Sequence, residues 1–172
     1  MKILFLGGPG TGKSTVGQRL ARDLKWPWVS SGAILRESNE EWVIEKLKTA
    51  QLFDDEMVAG LVFSRLAGVE NAIIDGFPRT LKQAELMLEQ GQKPDMMVEM
   101  VVPLEEIEAR LGLRGRDQDE PEVVEERYNA YEATKGEIMA YLAGNGVKVV
   151  SVDGVGTMDE VYVRTVNAIR EA

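Results

Sequence analysis

Short, solidly apolar runs alternate along the chain with longer stretches whose apolar residues recur at helical spacing. The runs Lys2–Leu6, Trp28–Ser30, Ala72–Asp75, Met96–Val102 and Val147–Val152 read as strands, and their weak polar alternation marks strands covered on both faces. Between them, Lys13–Leu24 places Val16, Leu20 and Leu24 on one side of a helix. Thr80–Gln90 does the same with Leu81, Ala84 and Leu88, stopped by Gly91. Pro103 opens a helix with Glu105 and Glu106 in its first turn, where the helix dipole favours anions. Pro121 opens a long helix carrying Val124, Tyr128, Tyr131, Ile138 and Leu142 that ends near Gly144. Thr157-Met158-Asp159-Glu160 is a capping-box pattern that starts the last helix. Strands separated by helices predict a three-layer α/β fold on a five-stranded parallel sheet. Two stretches break the alternation, Ser31–Asn71 and Gly112–Glu120. Both are expected to be movable covers rather than sheet elements.

Composition narrows the chemistry more than the fold. The 172 residues, 44% hydrophobic and 28% charged, suit one globular domain, residues 1–172. Neither cysteine nor histidine occurs. Disulfides, thiol nucleophiles, Cys- or His-bound metals and Ser-His-Asp hydrolysis are therefore excluded. Catalysis must use Lys, Arg, carboxylates, backbone amides or a carboxylate-bound ion such as magnesium. The net charge of −9 argues against sequence-independent binding to nucleic acid. The apolar start Ile3–Leu6 breaks at Gly7, short of the roughly 7–15 residues of a signal core. Nothing later approaches the roughly 20 apolar residues of a membrane span. A soluble cytoplasmic protein with no membrane partner is expected.

Gly7-Gly8-Pro9-Gly10-Thr11-Gly12-Lys13-Ser14 satisfies the pattern G-x-x-x-x-G-K-[ST], after a strand and before an amphipathic helix. Glycines let successive backbone N–H groups turn towards phosphate oxygens, and the helix start adds open amides and a positive dipole end. Gly8, Pro9, Gly10, Thr11, Gly12, Lys13, Ser14 and Thr15 are thus the candidate ligands of ATP phosphates. Lys13 would reach the β- and γ-phosphates, and Ser14 would offer a hydroxyl to Mg2+. Asp75 ends the third strand at the edge where α/β sheets bind ligands, placed to hold magnesium or its water. From Pro94 to Thr134 the only cations are Arg110, Arg114, Arg116 and Arg127. A salt-bridged helix surface and bidentate recognition of phosphate both account for them.

The phosphate loop, Ser30-Ser31-Gly32-Ala33-Ile34-Leu35-Arg36, Asp75-Gly76-Phe77-Pro78-Arg79-Thr80 and Arg114-Gly115-Arg116 occur in the order found in adenylate kinases. The chain resembles that family over essentially its whole length. The resemblance implies a P-loop NTPase fold with an AMP-binding helical insert (residues 31–60) and a short lid (residues 112–122). It implies reversible phosphoryl transfer between ATP and AMP, giving two ADP, with Mg2+. Carried over residue by residue, Lys13 would hold the transferring phosphates. Arg36 and Arg79 would grip the AMP phosphate beside Gly76, Ser31 would sit near the AMP base and Gln83 would hydrogen-bond the adenine. Arg110 would stack on the ATP adenine, with Gly156 meeting the same base. Arg114, Arg116 and Arg127, with Arg79, would surround the transferring group.

Three features depart from the family pattern. Ala33 stands where an acid is usual, the insert is shorter and has Ala50 for a customary glycine, and the lid lacks zinc-binding cysteines. Other readings are a UMP/CMP kinase of the same fold, a GTPase-like switch or a non-catalytic nucleotide-binding module. Thr80 and Gln83 favour AMP. No guanine-reading Asn-Lys-x-Asp segment exists, and the intact Lys13, Asp75 and arginine set favours a working enzyme. A monomer is expected.

Overall fold

The computed structural model describes residues 1–37, 40–47, 53–112 and 120–172, which include a five-stranded sheet. Its strands are β1 (Lys2–Leu6), β2 (Trp28–Ser30), β3 (Ala72–Asp75), β4 (Met96–Val101) and β5 (Lys148–Asp153). They lie in the order β2-β3-β1-β4-β5, with every neighbouring pair parallel. Side chains alternate between the two faces. Ile3, Phe5, Ile73, Met96, Val98 and Met100 pack against α1 (Lys13–Leu24) and α8 (Met158–Glu171). Leu4, Leu6, Val29, Ile74 and Met97 pack against α4 (Asp55–Leu66), α5 (Leu81–Glu89) and α7 (Pro121–Gly144). Both faces of the inner strands are therefore dry, which is why those strands read as apolar runs, whereas the edge strand β5 is only partly buried. Each fully buried Ile, Leu or Phe contributes about 1.5–3 kcal/mol.

The ends of β4 and β5 shift from the expected bounds for local reasons. Val147 is buried but belongs to the close of α7: its N–H bonds the Leu142 carbonyl at 3.0 Å, after Gly146 takes φ +79. Val102 leaves β4 to join Ile107 and Leu111 of α6 (Leu104–Gly112) and Val124 of α7 in a small cluster. Between β2 and β3 lie α2 (Ser31–Arg36), α3 (Glu41–Leu47) and α4. The expected insert, residues 31–60, thus ends half-way along α4, which continues with Val62 and Leu66 in the core. Of the expected lid, residues 113–119 lie outside the described residues, and 120–122 form the start of α7, with Glu120 at the N-cap position and Pro121 in the first turn. No described helix is long and apolar enough to cross a membrane.

Candidate active site

The phosphate loop leaves the C-terminal end of β1, the middle strand, and runs into α1. Gly10 and Gly12 take φ of +71 and +87, left-handed values that suit glycine. A Cβ at Gly10 would also stand 2.9 Å from Leu111 Cγ and 3.0 Å from Ile107 Cγ2, so α6 braces the loop from behind. Gly12 is the N-cap of α1 and offers no side-chain acceptor, leaving the first amides of α1 for a ligand. Lys13 Nζ donates to the Gly8 carbonyl at 2.8 Å, and Thr11 Oγ1 donates to the same oxygen at 3.0 Å. Gly8, Pro9 and Lys13 line the main cleft, whereas Thr15 lines a separate groove with Arg19 and Met158.

Ser14 and Asp75 meet, as a shared metal site requires: Ser14 Oγ donates to Asp75 Oδ2 at 2.6 Å. Asp75 is buried, and its Oδ1 has no hydrogen-bond partner among the described residues. A buried carboxylate oxygen without a donor is costly unless something else meets its charge. A hydroxyl and a carboxylate are hard oxygen donors, the type magnesium takes, so the residues present fit that ion.

Across the sheet edge opens one cleft whose described lining includes Lys13, Arg36, Lys46, Arg79 and Arg127 and no carboxylate. In a chain of net charge −9 this is a strong local reversal. Arg79 reaches the cleft surface, yet loss of surrounding water lowers its guanidinium pKa, with the Asp75 charge opposing; it stays cationic. Its Nε donates to the Gly76 carbonyl at 2.9 Å, and Ser31 Oγ donates to that oxygen at 2.5 Å. Gly76, at φ +71, lets three segments converge, since a Cβ there would lie 3.0 Å from Ser31 Oγ. The Ser31 hydroxyl thus ties the end of β2 to the end of β3, a scaffold task beside its expected place near a base. Gln83 also lines the cleft, at the start of α5.

Arg110 and Gly156 belong to a different shoulder. Arg110 bonds Glu106 Oε1 at 2.9 Å and, through Nη2, the Gly154 carbonyl at 3.0 Å. That places it beside the turn carrying Gly156. Gly156 has its own steric reason: at φ +120, a Cβ would meet Glu160 Oε2 at 2.8 Å. Glu160 completes the capping box with Thr157, and those hydrogen bonds hold its pKa down. Arg114, Arg116 and Ala50 lie outside the described residues.

To the expected Arg127 the structure adds neighbours that periodicity concealed. On α7, Arg127, Tyr131 and Lys135 follow at four-residue steps. Arg127 and Tyr131 line the cleft, and a Cβ on Gly8 would stand 3.4 Å from the Tyr131 ring. Lys135 Nζ lies 3.7 Å from Glu99 Oε1, and Ser151 Oγ donates to Glu99 Oε2 at 2.8 Å. Glu99, buried in β4, therefore anchors the foot of this stripe. Burial, followed by the Glu99 charge, pushes the Tyr131 hydroxyl pKa well above its ordinary value. Lys46, on α3, was hidden among surface-like lysines. Asp55 was hidden in the acidic start of α4, and its carboxylate bonds Thr80 and Gln83.

The fold and the loop define a P-loop nucleotide-binding protein of the three-layer α/β type. Comparison with known proteins narrows this: the family described as adenylate kinase matches residues 5–147. An adenylate kinase of Thermus thermophilus is 38% identical over 176 residues, covering 94% of this chain and 93% of the relative. One from Mycolicibacterium vanbaalenii is 34% identical over 182 residues, covering 98% and 99%. One from Maricaulis maris is 34% identical, covering 99% of this chain and 100% of its own. The chain belongs to the adenylate kinase family, and its chemistry is phosphoryl transfer to a nucleoside monophosphate.

Proposed function

We propose that this chain transfers the terminal phosphoryl group of ATP reversibly to AMP, giving two ADP, with magnesium, at the cationic cleft that a single copy supplies. The observation that carries it is the cleft lining: five cations, a reading glutamine and no carboxylate among the described residues. A ligand with several negative charges complements such a lining. Two facing phosphorylated nucleotides have that charge.

The acceptor is a phosphate oxygen of AMP. It bonds to the γ-phosphorus while the bond from that phosphorus to the β,γ-bridging oxygen breaks, and the pair of electrons leaves on ADP. The attacking oxygen is already anionic at neutral pH, so no side chain has to remove a proton. That fits a protein without histidine or cysteine. Catalysis is then positioning and charge stabilisation. The loop amides and Lys13 hold the donor phosphates, Arg36 and Arg79 hold the acceptor phosphate, and Arg127 closes over the group in transit. Arg114 and Arg116 join Arg127 from the lid, residues 112–122, while the insert, residues 31–60, covers the acceptor. Arg110 and Gly156 frame the donor base, Ser31 and Gln83 frame the acceptor base, and Gly76 lies beside the acceptor phosphate. Ser14 and Asp75 would hold magnesium, directly or through water, and the ion would supply charge neutralisation at the donor phosphates.

A coupled assay presenting ATP with AMP, UMP, CMP or GMP, with and without magnesium, tests all of this. AMP turnover that disappears on chelation is expected. Preference for UMP or CMP overturns the acceptor, and magnesium-independent turnover overturns the metal.

A further inference from the structure

Asp54 already caps α4, accepting from the Met57 N–H at 2.8 Å, so helix capping gives the neighbouring Asp55 no task. Asp55 instead reaches across to α5. Its Oδ1 accepts from Thr80 Oγ1 and from Gln83 Nε2, each at 2.9 Å. At the other end of the same amide, Gln83 Oε1 accepts from the Arg79 backbone N–H at 2.7 Å. Thr80 Oγ1 accepts in turn from the Gln83 N–H at 3.1 Å, which fixes the helix start beneath the side chain. Gln83 is only 2% exposed, so water does not compete for these groups.

The two neighbours of the amide have opposite and fixed character. A carboxylate only accepts and a backbone N–H only donates. Turning the amide over would set its carbonyl against the carboxylate and its NH2 against the N–H. Two hydrogen bonds would be exchanged for two repulsions at a buried site. One amide hydrogen and one carbonyl lone pair remain unengaged by these partners, each on an end whose identity is fixed.

We propose that Asp55 is a specificity-determining positioning residue for the acceptor base: it locks the Gln83 amide in the orientation that complements a 6-aminopurine and rejects a 6-oxopurine. In a 6-aminopurine the exocyclic group donates and the adjacent ring nitrogen accepts. In a 6-oxopurine the two are exchanged, because the exocyclic oxygen accepts and N1–H donates. An amide free to turn over reads both patterns equally well; a locked one reads one. Size does not separate the two, so hydrogen-bond polarity must.

The proposal rests on the acceptor assignment above, and the test separates the two. The full chain is assayed with ATP and either AMP or IMP. Wild type should favour AMP by at least about a hundredfold in kcat/KM, the scale reached where a mismatched ligand leaves buried polar groups unpaired. Asp55→Ala should raise KM for AMP about tenfold with KM for ATP unchanged, and should shrink the AMP-to-IMP ratio at least tenfold. Asp55→Asn keeps the shape but no longer only accepts: with its carbonyl in the place of Oδ1 it holds the native amide, and with its NH2 turned there it supports the reversed one. This variant should shrink the ratio less, in the same direction. It decides the matter if the alanine variant does not fold. A merely structural Asp55 would weaken AMP and IMP alike, and an unchanged ratio in a folded variant overturns the lock. Equal use of AMP and IMP by wild type overturns it too. Wild type that turns over UMP or CMP but no purine monophosphate overturns the acceptor assignment itself, and the lock with it.

Discussion

The two ends of the cleft are built by different means. At the donor end, the groups proposed to face phosphate come from the turn after β1 and the start of α1, all within Gly7–Ser14. The partners there are backbone amides and short-range bonds such as Lys13 to Gly8, five residues apart. At the acceptor end, the decisive bonds join Asp55 to Thr80 and Gln83, 25 and 28 residues away. One end is local geometry fixed by glycine; the other is a set of side chains that meet only when α4 and α5 pack. Phosphate is the same in every nucleotide and suits a rigid backbone cradle. A base must be told from other bases, which calls for directional side-chain groups.

The contrast is sharpest at Lys13. Lys13→Met should lower kcat by at least about a thousandfold with every acceptor tested, because charge on the moving group is what it meets. Steady-state kinetics beside circular dichroism checks this, and near-normal kcat in a folded variant breaks the division of labour. Arg127→Ala should come next, lowering kcat at least about a hundredfold. A rise confined to KM for ATP would make Arg127 a holder of the ground state.

On the acceptor side the loss should depend on the base. Wild type should favour AMP over UMP by at least about a hundredfold in kcat/KM, or roughly 2.7 kcal/mol. Gln83→Ala should remove much of that gap by weakening use of AMP alone, as competition assays would show. Equal losses with AMP and UMP would make the acceptor end as indifferent to the base as the donor end. The smallest effect belongs to Tyr131, which lies between the two ends. Its folded pKa lies above the unfolded value, so the protonated hydroxyl contributes stability in full below about pH 10. That contribution is lost as pH climbs through the folded value. Urea titrations should show wild type losing stability above that pH and Tyr131→Phe losing less.

The same contrast explains how much could be read from the chain before folding. Most strand positions were legible because burial on both faces leaves unbroken apolar runs, with ends shifted at Val102 and Val147, where helix packing and a helix close took over, and at Asp153, which β5 includes. The phosphate loop was legible because its chemistry is contiguous. The meeting of Ser14 with Asp75 was legible from the rule that sheet ligands sit at strand ends. Asp55 was not, since a second acid in a helix's first turn looks the same whether it meets solvent or a buried amide. Glu99 was not, since one acid in an apolar strand names no partner. Gly156 was seen as a base contact, while the crowding by Glu160 that also demands glycine emerged only from the turn's geometry.

The stripe Arg127, Tyr131, Lys135 on α7 carries a consequence for how this protein can change length. From Lys135, anchored at Glu99, to the arginine is eight residues, about 12 Å of helix at 1.5 Å per residue. Inserting one residue between Arg127 and Lys135 would rotate everything beyond it by about 100° and swing the arginine out of the cleft while Lys135 kept its anchor. Seven residues restore the facing to within about 20°, but displace the arginine by about two turns along the axis. Neither slip can be repaired by substitution nearby. This span of α7 should therefore behave as a ruler of fixed length, and natural insertions and deletions should be confined to the segments on either side of it.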